Sequence, residues 1–209
     1  MLRTATLALL PLAALLPGLA LAQPDQDIGA WRLACIQDRM TDRAACTLRH
    51  RDWVEKPSAG TPGLALEVID RRGRLVPAVT ARELTIEGAS RGLLALTGTA
   101  QLRFPPNKLF EMPCGLEGRS VVCAPRPEDA ARAEQELLAA DRALVRIVGG
   151  TGQSSTAEPA ELRLAGTKDA LARFAREAPP DAARDSAREP EGLDGREMLQ
   201  RLFRFFGAN

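Results

Sequence analysis

The sequence predicts a mainly β fold, a sandwich or barrel of short strands with two short helices, and an amphipathic helix added at the C-terminal end. Three observations carry this. Short alternating apolar and polar runs bounded by Gly, Pro and Asp recur from Trp31 to Ala124. Helical periodicity appears only after Pro127 and again after Gly166. An even set of four cysteines sits within the strand-rich part.

The first residues have the layout of a secretory signal. Arg3 supplies positive charge, Ala5 to Leu16 is apolar apart from Thr6 and Pro11, and Ala20-Leu21-Ala22 offers the small side chains that a signal peptidase needs. Gln23-Pro24-Asp25 then reads as a polar mature end, so cleavage is expected after Ala22. Ala5 to Ala22 approaches the length of a membrane span, but Pro11, Pro17 and Gly18 fit the helix break that precedes a cleavage site. A lipidation signal needs a cysteine directly after the small residues, and the first cysteine is Cys35. Residues 23–176 are read as one β domain, 177–193 as a linker and 194–207 as the added helix. The compartment implied is the periplasm or the outer membrane.

Arg3 is the one charge in residues 1–22, so the remaining 187 residues of the 209 carry 27 basic and 27 acidic side chains. Such a balance gives no global field for nucleic acid, and none is expected as a partner. With no Tyr and two Trp, stacking platforms for sugars or bases are disfavoured. Export makes Cys35, Cys46, Cys114 and Cys123 the material of structural disulfides. Three pairings are formally open; the local ones, Cys35 with Cys46 and Cys114 with Cys123, each close a loop that a hairpin could span, and they are the pairing expected. Gaps of ten and eight residues lack the tight Cys-x-x-Cys spacing of a zinc site. No metal or cofactor is expected.

Along the chain, Trp31-Arg32-Leu33-Ala34-Cys35 and Ala45 to His50 read as two strands around the polar loop Gln37 to Arg43. Lys56 to Gly63 is a connection and Leu64 to Ile69 a strand. Asp70-Arg71-Arg72-Gly73 has turn chemistry. Arg74 to Thr80, Glu83 to Ile86 and Gly92 to Phe104 continue the rhythm, and Pro105-Pro106-Asn107 breaks it. Leu109 to Ala124 carries the second cysteine pair around Gly115 and Gly118. Glu128 and Asp129 precede Ala130, Ala133, Leu137, Leu138 and Ala140 at helical intervals. Ala143 to Val148 is a strand, Gly149 to Thr156 a hairpin loop, and Ala160 to Leu164 the return. Gly166-Thr167-Lys168-Asp169 opens a second helix, with the Thr167 hydroxyl expected to cap an orphan amide. Residues 177–192 lack the large apolar side chains a fold needs.

The ordered combination of Trp31-x-x-x-Cys35, Cys46-Thr47-Leu48, the pair Cys114 and Cys123, the helix Glu128 to Ala140, Val145-Arg146-Ile147, and Leu162-x-Leu164-x-Gly166 before Ala170-Leu171 resembles the invasion-associated locus B family of bacterial exported proteins. The resemblance spans about residues 28–176. It implies a disulfide-bearing, immunoglobulin-like β-sandwich in the periplasm or outer membrane, with no enzymatic activity; one member is linked to invasion of host red cells. Thr167 stands where the family pattern has an aromatic.

No catalytic constellation emerges. His50 is the single histidine, and neither an activated nucleophile nor a Gly-x-Ser-x-Gly elbow accompanies it. It is read as an exposed or hydrogen-bonded strand histidine. Glu128 with Asp129, or Asp181 with Asp185, are carboxylate pairs explained by a helix start and a linker. Gly149-Gly150-Thr151-Gly152 lacks the Lys-Ser or Lys-Thr and the following helix of a phosphate loop. The basic turn Arg71 to Arg74 could meet an anionic partner but reads as solvated. In the C-terminal segment, Met198, Leu199, Leu202, Phe203, Phe205 and Phe206 fall on one helical face, opposite Glu197, Gln200, Arg201 and Arg204. This face is the candidate contact for the protein's own sandwich, another copy, an envelope protein or a membrane surface. The function expected is that of a non-catalytic exported binding or interaction protein. An envelope hydrolase using carboxylates is the alternative.

Overall fold

Alternation of buried and exposed side chains sets the strands, and they assemble into one antiparallel sheet. The computed structural model describes residues 25–37, 39–40, 44–84, 97–149 and 158–178. The strands are β1 (Gln26–Ile28), β2 (Trp31–Gln37), β3 (Ala44–Glu55), β4 (Leu64–Arg71), β5 (Arg74–Ala81), β6 (Thr99–Arg103), β7 (Phe110–Glu117), β8 (Ser120–Cys123), β9 (Arg142–Val148) and β10 (Ala160–Arg163). A single 3-10 turn (Pro127–Asp129) leads into helix α1 (Ala130–Ala139), and helix α2 spans Thr167–Glu177. Their order across the sheet is β1-β2-β3-β4-β5-β8-β7-β6-β9-β10.

Local chemistry explains the hairpins. Between β4 and β5 the turn residues Arg72 and Gly73 both have positive φ, 58° and 83°, the geometry that matches strand twist in a two-residue turn. The Asp70 carboxylate fixes it by accepting from the Gly73 amide at 2.7 Å. β7 is shared between neighbours: Phe110 to Pro113 pair with β6, and Cys114 to Glu117 with β8.

One apolar cluster holds the sheet together, from Trp31, Leu33 and Leu48 through Leu66, Val79, Leu102, Phe104, Phe110 and Val145 to Leu162, Leu171 and Phe174. On β4, Leu64, Leu66 and Val68 alternate with Ala65 and Glu67, and both sets are buried. Ala65, Val76, Ala78 and Val122 therefore bury a second patch on the opposite face, outside the main cluster. α1 packs along β5, where Glu134 accepts from the Leu75 amide at 3.3 Å and pairs with Arg74 at 2.9 Å.

Several sequence expectations are corrected. Glu83 to Ile86 forms no strand at its described end: Glu83 sits in a bend with φ 57°, and residues 85 and 86 lie outside the described residues. The strand expected from Gly92 to Phe104 is limited to Thr99–Arg103, with 92–96 outside the description. Helix α1 begins at Ala130 rather than Glu128, because residues Pro127–Asp129 form a 3-10 turn ahead of it. Residues 1–24, 150–157 and 179–209 also lie outside the described residues, and with them the signal-like segment, the Gly150-Thr151-Gly152 loop and the amphipathic C-terminal face.

Candidate functional site

The chemistry-bearing residues fall in three places: a buried junction at the two ends of the strand order, a buried ion pair on β4 and β5, and two disulfide-braced hairpins. At the junction, β10 and α2 come against β2 and β3. His50 is 1% exposed, which excludes the exposed reading. Its Nδ1 accepts from the Asp52 amide at 3.0 Å, so Nε2 carries the proton and donates to the Arg163 carbonyl at 2.9 Å. Trp31 lies edge-on to the imidazole, 5.5 Å between ring centres. Both ring nitrogens are thus committed to backbone partners.

Thr167 belongs to the same junction and does not cap α2. Its hydroxyl accepts from Trp31 Nε1 at 3.0 Å and donates to the Leu164 carbonyl at 2.7 Å. The helix starts from Gly166, at φ 76°, with no side-chain cap. Gly29, at φ 59°, faces Gly166; a Cβ on Gly29 would lie 2.3 Å from the Ala165 carbonyl oxygen. That contact lets the Ala30 amide donate to the same oxygen at 2.8 Å. Nearby, Asp27 pairs with Arg32 at 2.8 Å and Arg51 at 3.5 Å. The Arg32 hydrogen bond holds the Asp27 carboxyl below its ordinary range, against a smaller opposing effect of burial.

Glu67 is a buried carboxylate that strand patterning did not single out. It is 2% exposed and accepts from Thr80 Oγ1 at 2.6 Å and from Arg82 Nε at 3.0 Å, with Arg82 Nη2 on its second oxygen. Burial by itself would lower the Arg82 pKa, but the hydrogen bonds and charge of Glu67 raise it above the ordinary value. Three hydrogen bonds, two of them charge-assisted, tie this carboxylate to partners within the sheet. The signal for it was a lone acid inside the apolar run Leu64 to Ile69.

The bridges join Cys35 to Cys46 and Cys114 to Cys123, each pair directly opposite across neighbouring strands. Cys123 is fully buried beside Val79, whereas Cys35, Cys46 and Cys114 are half-buried at the margin of the core. Beyond Cys35, Ile36 is 75% and Met40 92% exposed, the largest apolar exposure among the described residues.

The remaining candidates have ordinary partners. Asp129 pairs with Arg132 at 2.9 Å, and Arg132 lies 3.6 Å over the Phe110 ring. Arg71 pairs with Glu117, and Arg74 with Glu134. A shallow hollow of about 440 Å3, lined by Arg103, Pro106, Asn107, Lys108 and Leu109, contains no carboxylate or histidine. Among the described residues no group of three His, Cys, Asp or Glu side chains could hold a metal ion, and no helix is long and apolar enough to cross a membrane. Asp181, Asp185 and the face Met198, Leu199, Leu202, Phe203, Phe205 and Phe206 lie outside the described residues.

No family model and no curated protein matches the chain. Among solved structures, it aligns with the crystal structure of invasion associated protein B from Bartonella henselae at a TM-score of 0.46 and 15% identity, over 74% of this chain and 96% of that one.

Proposed function

We propose that the chain is a non-catalytic binding or interaction protein of the bacterial envelope, exported by residues 1–22 and similar to the invasion-associated locus B family. The observation that carries this reading is the pair of disulfides. Cysteines fixed opposite one another on adjacent strands stay bridged in an oxidising compartment and are rare in a reducing one. In this reading the ten strands form an immunoglobulin-like sandwich, supported by β7 dividing its pairing between β6 and β8 and by the ties between Trp31 and Thr167 and between His50 and Arg163. Commitment of the His50 nitrogens and the Glu67 oxygens to internal partners favours a scaffold over the carboxylate hydrolase. The arm carrying Ile36 and Met40, and the C-terminal face 198–206, are the surfaces offered to an envelope protein, a second copy or a membrane.

Expression of the whole chain in a bacterium, followed by fractionation and intact mass, tests it. A periplasmic or outer-membrane product beginning at Gln23 with four oxidised cysteines is the expected result; an uncleaved cytoplasmic product with free thiols overturns it. Removing residues 179–209 should also abolish liposome flotation or self-association by size-exclusion chromatography, and unchanged behaviour in both removes the membrane and second-copy roles of the tail.

A further inference from the structure

A strand that fills the core with every second residue presents the others outward, and on β6, β9 and β10 the outward set is basic. Ala100 and Leu102, Ala143, Val145 and Ile147, and Leu162 are buried in the apolar cluster. The positions between them face away from it: Gln101 and Arg103 on β6, Arg142, Leu144 and Arg146 on β9, Glu161 and Arg163 on β10. Register brings them together, with Gln101 opposite Arg146, Arg103 opposite Leu144, Leu144 opposite Glu161 and Arg142 opposite Arg163. Four guanidiniums thus surround Leu144 on one face of three strands, about 10 Å across from β6 to β10. Their charge is only partly cancelled. Arg146 donates twice to the Gln101 side-chain oxygen, at 3.1 and 2.6 Å, and Arg103 donates to the Asn107 and Pro106 carbonyls at 2.9 and 3.4 Å. These acceptors are neutral, so they orient each guanidinium and leave its charge in place. Arg163 is exposed and pairs with no acid among the described residues. Arg142 meets Glu161 at 3.3 Å, both half-exposed, and Glu111, opposite Gln101, is the other acid on this side. Beside Arg103, the hollow it shares with Lys108 and Leu109 adds a further cation, and Leu109 is 46% exposed.

We propose that this face seats the protein on an anionic, phosphate-bearing lipid surface. Residues 23–209 carry equal numbers of basic and acidic side chains, so attraction to such a surface comes from local segregation of charge. Guanidiniums bind phosphate oxygens through parallel N–H donors, and a fork already held by a neutral neighbour loses less freedom when it does so. Charges gathered within about one screening length of each other act on a surface together. Leu109 and Leu144 supply apolar contact among the arginines. No aromatic side chain occupies an outward position of β6, β9 or β10, which leaves nothing for bases or sugar rings to stack on. The surface is distinct from residues 198–206, and its charge acts whether or not that segment meets a membrane.

The test is co-sedimentation of the chain from Gln23 to Asn209 with vesicles of phosphatidylcholine, alone or mixed with phosphatidylglycerol, at low and high salt. Binding should require phosphatidylglycerol and weaken as salt rises. Arg142→Gln/Arg163→Gln should weaken it about thirtyfold, with circular dichroism unchanged. Arg142→Lys/Arg163→Lys should retain most of it, and Arg72→Gln/Arg74→Gln, which removes two arginines from the β4–β5 turn, should leave it unaltered. Should the first variant fail to fold, Arg163→Gln alone carries the same test at about fivefold. Parental binding by the glutamine variants, an equal loss in the turn variant, or equal binding to phosphatidylcholine alone each overturns the proposal. So does full displacement from vesicles by soluble glycerol phosphate, which would assign a pocket for a single phosphate, or tighter binding to a soluble acidic polysaccharide, which would assign a glycan partner.

Discussion

Thr167 carries two hydrogen bonds through one hydroxyl, inside a site from which water is excluded. Replacing it with Val keeps the shape and leaves both the Trp31 indole N–H and the Leu164 carbonyl without their partner. Thr167→Val should therefore cost about 1–3 kcal/mol of unfolding free energy in urea titration. Adding Trp31→Phe should cost less than the two single losses combined, since the indole donor is then gone as well. Asp27 supplies a residue-scale pH effect. Its pKa is depressed in the folded chain, so the pair with Arg32 contributes above the ordinary carboxylate value and is lost as pH falls through the lowered one. Carboxyl NMR should place the Asp27 midpoint below 3.8 and return it toward that value in Arg32→Gln. The pair is exposed, and the expected readout is the titration itself.

At the scale of elements, two glycines with similar backbone separate conformational strain from close approach. Gly73 has φ 83° and open space around a built Cβ, whereas Gly29 has φ 59° and the Ala165 oxygen at 2.3 Å. Gly73→Ala should cost about 1 kcal/mol, from its left-handed backbone alone. Gly29→Ala should cost about 2 kcal/mol more, because β1–β2 must move off the start of α2. Equal thermal shifts in the two variants would show that the Gly29–Gly166 approach is loosely held. Hairpins, unlike this approach, were legible from sequence. Arg72-Gly73 and Gly118-Arg119 sit between strand segments, and the residues that make each turn are neighbours in the chain. The role of Thr167 was misread for the opposite reason. Its sequence context is that of a cap, yet its partner Trp31 lies 136 residues away.

For the whole molecule, the two disulfides should differ in how far their loss is felt. Cys114–Cys123 ties β7 to β8 in the middle of the strand order, so Cys114→Ala/Cys123→Ala should lower global stability by about 2–3 kcal/mol in one cooperative denaturant transition. Cys35→Ser/Cys46→Ser should lower it by less, because the freed arm can open locally without exposing the main core. Hydrogen exchange checks this: faster exchange confined to the arm is expected for the second variant, and exchange spread through β4 and β5 would contradict it.

The sequence by itself determined a mainly β chain, the positions of most strands and both described helices. Each follows from side-chain period and turn residues within a few positions of one another. Only the tertiary structure decided that β8 follows β5 in the sheet, that β7 serves two neighbours, and that β10 and α2 return to β2 and β3. It also decided the fate of the polar residues: Glu67 beside Arg82, His50 beneath Trp31, and Thr167 between Trp31 and Leu164. Alternation tells which face a side chain takes, a local property. Which partner satisfies a buried donor or acceptor depends on contacts between segments far apart in the chain, and these exist only once the sheet has assembled.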